Sequence, residues 1–255
     1  MTVTELYKAL EERLPKTLSC DFDRDGIMVL PDAGKEVNKV LCCLDCTKEI
    51  VARAIEGGCD LVVTHHPLLF HAIPSLTECD PIASIAGELY KNGIAVFSFH
   101  TRLDCAEGGE NDLLADLFEL KNRESFPVEG QPMGRVGDLP EVLTGRELAA
   151  KAKEALDCPS LRITCPDKKI SRLAVLGGAG SGAIGTAVSI GADAFLTGEM
   201  RHHEYLDATA RGLCMLTVGH DYSERLIASR LQKMLAGIDP KIDVECYLQI
   251  SSDTL

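Results

Sequence analysis

The seven histidines of this 255-residue chain fall into three stretches, each holding side chains that can bind a metal ion. His65, His66 and His71 lie in and just after LVVTHHPLLF (61–70), His100 begins HTRLD, and His202, His203 and His220 lie near the C-terminus. Imidazole and carboxylate donors together suit Zn, Fe, Mn or Ni. Neighbours in a regular strand point to opposite faces, so His65 and His66 reach one small ion only where the backbone bends. Pro67 biases His66 toward an extended conformation, and two ions a few ångströms apart would let each histidine hold its own. Asp104, four residues past His100 and before Gly108-Gly109, can bind or bridge metals, or shape its own turn. His220 and Glu224 can present an imidazole and a carboxylate toward one point, although Asp221-x-x-Glu224 also fits a capping box.

The elements that must position these groups alternate. Lys39–Leu44, Leu61–Thr64 and Ile94–Phe99 read as strands, separated by helices over Thr47–Glu56 and Pro81–Lys91. Leu6, Leu10 and Leu14 mark an N-terminal amphipathic helix, and DLLADLFEL (112–120) reads as another. Residues 122–142 carry Pro127, Gly130, Pro132, Gly134, Gly137 and Pro140 and read as a linker. Beyond it, helices are expected over Arg146–Leu156, Ala183–Ile190, Tyr205–Ala210 and Ser223–Leu235. Strands are expected over Leu161–Thr164, Leu173–Leu176, Ala194–Thr197, Cys214–Val218 and Val244–Ile250. Continuous apolar strands alternating with helices indicate parallel βαβ units, so the expected class is α/β with mainly parallel sheets. The expected halves are 1–125 and 126–255, with an approximate boundary and room for the chain to cross back. His65, His66, His100 and His220 all end predicted parallel strands, the edge at which open α/β sheets bind ligands.

Composition narrows the function. A net charge of −13 argues against a nucleic-acid surface, which needs clustered Lys and Arg. No apolar run reaches membrane-spanning length, and the N-terminus lacks a signal-peptide pattern, so a cytoplasmic protein with eleven reduced cysteines is expected. Cys43-x-x-Cys46 begins inside a strand and reads as buried thiols rather than a redox pair. Gly180-x-Gly182-x-x-Gly185 has dinucleotide-type spacing but lacks the acidic residue such sites require. The Gly-rich turn, with Gly178 and Gly180, could instead offer N–H groups to a substrate phosphate, or serve close strand–helix packing.

HHPLLF (65–70), HTRLDCAEGGEND (100–112), GGAGSG (177–182), TGEMRHHEYLDA (197–208) and GHDYSE (219–224) occur in that order. The ordered set resembles the Nif-three-like family of dinuclear-metal-centre proteins, also labelled GTP cyclohydrolase I type 2 homologues. GRVGDLPEVLTGREL (134–148) is similar to the family's segment after the first half, and the likeness runs from about Asp45 to the C-terminus. The resemblance implies five ligands, His65, His66, Asp104, His220 and Glu224, holding two divalent ions. It also implies two interlinked α/β domains with the metals in the cleft between them, and a toroidal homohexamer. The chain looks like the short form, without the inserted middle domain. Arg102 and Asp221 depart from the family's usual spelling.

The reading is a metal-dependent hydrolase acting on a small molecule through a metal-bridged water, in the manner of the GTP cyclohydrolase label. The alternative is a metal-binding or regulatory protein without turnover. His100, Glu199 and His203 are candidates for supporting or acid–base roles beside the metals.

Overall fold

The computed structural model describes residues 1–251; residues 252–255, to which the second expected half extends, lie outside the described residues. The chain divides into two α/β units. The first is Met1–Leu103 with Arg225–Gln249, and the second is Asp104–Glu224 with Ile250 and Ser251. This partition differs from the expected break at 125/126. The segment from Asp104 onward packs with the second sheet, and the C-terminal part of the chain returns to the first unit.

In the first unit, α1 (Val3–Arg13) starts with a capping box in which Thr2 and Glu5 bond each other's backbone. Leu6 and Leu10 form its buried stripe. A sheet in the order β1-β4-β3-β2-β11 lies beside it. The strands are β1 (Gly26–Val29), β2 (Lys39–Cys43), β3 (Leu61–Thr64), β4 (Ala95–Ser98) and β11 (Asp243–Cys246). All pairings are parallel except β1 with β4. Strands β3 and β4 are buried along their whole length, which is why they read as unbroken apolar runs. α2 (Lys48–Glu56) is capped by Thr47. α3 (Pro81–Lys91) is capped by Asp80, with Pro81 in its first turn, where a missing N–H costs nothing. Arg102, in the short helix α4 (Thr101–Cys105), is 0% exposed. Its Nε and Nη2 bond Asp25 at 2.8 and 3.0 Å, and its Nη1 bonds the Leu14 carbonyl at 2.8 Å.

The second unit's sheet runs β5-β6-β8-β9-β10-β7. Its strands are β5 (Lys121–Val128), β6 (Gln131–Thr144), β7 (Arg162–Ile163), β8 (Lys169–Ala179), β9 (Ala194–Glu199) and β10 (Cys214–Thr217). Only β8–β9 and β9–β10 pair in parallel, so this sheet is not mainly parallel as expected. The cause is the stretch read as a linker. Residues 121–144 form a long hairpin, turning at Glu129-Gly130, both at positive φ as primed hairpin turns require. Pro127 is tolerated because β5 is the sheet's edge. The helices are α5 (Glu110–Leu117), α6 (Gly145–Leu156), α7 (Ile184–Ser189), α8 (His202–Ala210) and α9 (His220–Glu224). The single helix expected over Ser223–Leu235 is two, α9 and then α10 (Ile227–Ala236), the latter belonging to the first unit.

Candidate metal centre

The opening difficulty of the histidine pair is resolved by the end of β3. The strand stops at Thr64, whose Oγ1 donates to the His66 carbonyl at 2.7 Å and closes a local turn. The His65 and His66 N–H groups bond the Cys43 and Leu44 carbonyls, so the bent backbone remains tied to the end of β2. Both rings then lie close together, with centroids 5.0 Å apart. His100, just past β4, joins them at 5.2 Å from His65 and 5.6 Å from His66. One ligand atom from each of the three lies within 4.8 Å of the others. His100 thus stands with the pair as a donor.

Each of these rings is oriented through Nδ1. His65 Nδ1 meets the Phe99 carbonyl at 3.0 Å, His66 Nδ1 meets Asp45 at 2.8 Å, and His100 Nδ1 meets Asp23 at 3.0 Å. A carbonyl or ionised carboxylate only accepts, so Nδ1 carries a proton and Nε2 is the atom that could meet a metal ion once the ring is neutral. This is the usual outer support of a metal-binding imidazole. Burial pushes the Asp23 carboxyl up, but the bonds and charge of His100 and two bonds from Thr101 outweigh it and hold Asp23 well below the usual carboxylate range.

The second unit holds the other predicted residues. His220 follows β10 at the start of α9, with Nδ1 3.0 Å from Glu199 and Nε2 3.0 Å from Glu224. Two donors each roughly 2.1 Å from one ion, at about 90°, stand that far apart, so the His220–Glu224 pair fits a shared cation. Gly178 permits it: a Cβ there would lie 2.3 Å from Glu224 Oε1. Asp104 and Glu224 are buried carboxylates, and the charge of each disfavours ionisation of Glu110. Glu110 is 0% exposed, and neither of its carboxylate oxygens has a hydrogen-bond partner among the described residues. Burial first, then the charges of Glu224 and Asp104, push it well above the ordinary carboxylate range. A buried carboxylate without donors, among other carboxylates, is what a cation would relieve. The donors present therefore fit divalent metal ions.

Beside His220 lies a cavity of about 410 Å³, lined by Arg162, Glu199, Tyr205, Asp221 and Tyr222 among others. Arg162 brings a guanidinium to a lining that also holds the carboxylates of Glu199 and Asp221. Glu199 orients His220 rather than standing apart as an acid or base. His203 lies exposed in the first turn of α8. The Gly178 N–H is donated to Ser223 Oγ at 3.0 Å, and a Cβ at Gly180 would meet Thr197 Oγ1 at 2.6 Å. Both glycines are thus accounted for by close packing of β8 against its neighbours. Cys43 and Cys46 are buried, and burial pushes the Cys46 thiol up to about 12, far from a reactive thiolate.

Asp23, Asp45 and Glu110 were not evident from sequence. The first two are scattered acids that gain meaning only through their histidines, whereas Glu110 lies inside the quoted EGGEND run. Replacing Glu199 with Ala should weaken metal binding about 10–100-fold by freeing the His220 ring, while His203→Ala should leave it unchanged. Isothermal titration with Zn²⁺ distinguishes the two variants, and equal affinities would remove the orienting role of Glu199.

The family model described as Duf34/NIF3 (NGG1p interacting factor 3) matches residues 1–253. A GTP cyclohydrolase 1 type 2 homolog of Clostridium perfringens is 33% identical over 229 residues, covering 88% of this chain and 87% of that protein. A protein NIF3 homolog of Schizosaccharomyces pombe is 29% identical over 237 residues, covering 87% of this chain and 84% of that one. A solved Bacillus cereus protein related to NIF3 shares the fold at a TM-score of 0.92 and 23% identity, covering 100% of this chain and 99% of that chain. No helix among the described residues is long and apolar enough to cross a membrane.

Proposed function

We propose, for a chain that belongs to the Duf34/NIF3 family, a metal-dependent hydrolase in which His65, His66, Asp104, His220 and Glu224 hold two divalent ions. The observation that supports it is the common orientation of its histidines. His65, His66, His100 and His220 each turn Nδ1 to a carbonyl or carboxylate acceptor. Four such rings in one chain are hard to explain as packing alone. Bound divalent ions supply Lewis acidity and lower the pKa of water toward neutrality.

The chain's own residues do the rest. Asp45, Glu199 and the Phe99 carbonyl fix the rings, and Asp23 fixes His100 while Thr101 donates to Asp23 from the far side. Arg162, Tyr205 and Tyr222 line the cavity beside His220 and offer donors to an anionic substrate. A nucleotide fits that description, and GTP cyclohydrolase is the activity in the name of the Clostridium relative. Water attack at the purine C8 with formate release is a hydrolysis of the kind this donor set supports. A phosphoester would suit the same groups. The assembly proposed with it is a toroidal homohexamer.

The test is turnover by metal-reconstituted protein on GTP and a phosphoester panel, following formate and phosphate. Metal-dependent turnover, lost in His220→Ala and kept in Cys46→Ser, is expected. Tight metal binding with no turnover on any substrate would replace the hydrolase by a metal-holding protein.

A further inference from the structure

We propose that Glu110 is a further carboxylate ligand of the metal centre, completing the acidic donors that Asp104 and Glu224 begin. The inference rests on the metal-binding reading above. Glu110 opens α5 and is fully buried, and both its oxygens lack a hydrogen-bond partner among the described residues. An isolated charged carboxylate in such a place is strongly destabilising unless something compensates it.

No basic group among the described residues compensates it. The charged groups acting on Glu110 are Glu224 and Asp104, both of the same sign. Its position relative to Glu224 is fixed by the backbone of β8. A Cβ on Gly177 would lie 3.2 Å from the Glu110 Cγ and 3.2 Å from the Glu224 Cγ, so the two side chains flank one point from two helices. Their Cγ atoms are no farther apart than twice that distance. Asn111, the next residue, anchors this arrangement: its Oδ1 accepts from the Gly177 N–H at 2.9 Å, and its Nδ2 donates to the Asp104 carbonyl at 3.3 Å. One short segment therefore ties Asp104, Glu110 and β8 together. The start of a helix also favours the anionic form of a side chain located there. A cation shared with Glu224 satisfies the Glu110 oxygens, removes the repulsion among three acids, and leaves none of the pairings above disturbed.

Protonation is the competing solution. A neutral Glu110 would donate its proton to a neighbouring carboxylate and take no part in binding metal. The two differ in what a neutral isostere does. Glu110→Gln keeps the shape and a donor, so it serves the protonated role and fails the ligand role.

The experiment measures Mn²⁺ affinity by calorimetry and the visible spectrum of the Co²⁺ form, on wild type, Glu110→Gln and Glu110→Leu. The melting temperature of each is read in the metal-free state. A Mn²⁺ affinity at least roughly ten-fold lower in both variants, an altered Co²⁺ spectrum, and a metal-free Glu110→Leu protein that melts no lower than wild type are expected. Wild-type affinity and an unchanged Co²⁺ spectrum in either folded variant would overturn the ligand role while leaving the metal-binding reading intact. A wild-type protein that binds neither ion would overturn both.

Discussion

Arg102→Ala should destabilise the protein by about 3–5 kcal/mol, because it strips the partner from a carboxylate that stays buried. For a chain of this length that lowers the melting temperature by roughly 6–20 °C. Arg102 and Asp25 both have fully buried side chains and meet through two nitrogens, with the Arg102 guanidinium also 5.0 Å from the Phe99 ring. Lys16 and Ser19 would remain on Asp25, but the Lys16 side chain is half exposed and cannot replace a buried fork. Adding Asp25→Asn to Arg102→Ala should recover part of the loss, since the uncompensated charge goes too. The pH dependence has a definite sign. Burial pushes the Asp25 carboxyl up, but bonds from Arg102 and Lys16 outweigh it and leave it below its ordinary value. A depressed folded-state value means stability that is present above the unfolded pKa, near 4, and lost as pH falls through the folded one. Wild type should therefore lose stability on acidification below about pH 4, and Asp25→Asn should lose less. Urea melts at several pH values check this, and a wild-type-like Arg102→Ala would refute it.

Gly178→Ala should weaken metal binding at least roughly ten-fold at a modest cost in stability. Gly178 has φ +62°, where an alanine is strained by roughly 1–2 kcal/mol. The new methyl group would lie 2.3 Å from Glu224 Oε1 and 3.4 Å from His220 Cε1. The carboxylate tip can swing away, so the steric term is small, but swinging away separates Glu224 from His220. Gly130→Ala is the control. Its φ is +79° and nothing lies within 4 Å of the added methyl, so it carries the strain without the displacement. Calorimetry with Zn²⁺ should show a loss of at least roughly ten-fold for Gly178→Ala and none for Gly130→Ala, the scale at which disturbed metal surroundings register. Equal affinities would mean that the backbone at Gly178 does not hold Glu224 in place.

The parallel core was legible because burial on both faces writes itself as short unbroken apolar runs. Leu61–Thr64 and Pro81–Lys91 have the bounds read from sequence. The hairpin of β5 and β6 was not, since its prolines and glycines carry the composition of a linker. Pro127 is on an edge strand, and Gly134 makes room for the Phe126 ring, whose Cζ would otherwise lie 2.1 Å from a Cβ. Those are tertiary reasons, invisible to local composition. The return of β11 to pair with β2, Asp243 opposite Lys39, is likewise a long-range pairing that neither segment announces alone. At the site, the histidines could be read because their clustering is a property of residue type. Their supports could not: Asp23 lies 77 residues from His100, and Asp45 lies 21 from His66. Arg102, a visible departure from the family spelling, proves to face Asp25 in the core rather than a substrate.

Metal content is the decisive property of this protein. Elemental mass spectrometry of untagged wild-type protein beside His65→Ala/His66→Ala is the direct measurement. Close to two divalent transition-metal ions per chain, lost in the double variant, is the predicted result. A wild-type protein that holds no metal, even after reconstitution with Zn²⁺, Mn²⁺, Fe²⁺ and Ni²⁺, would contradict it.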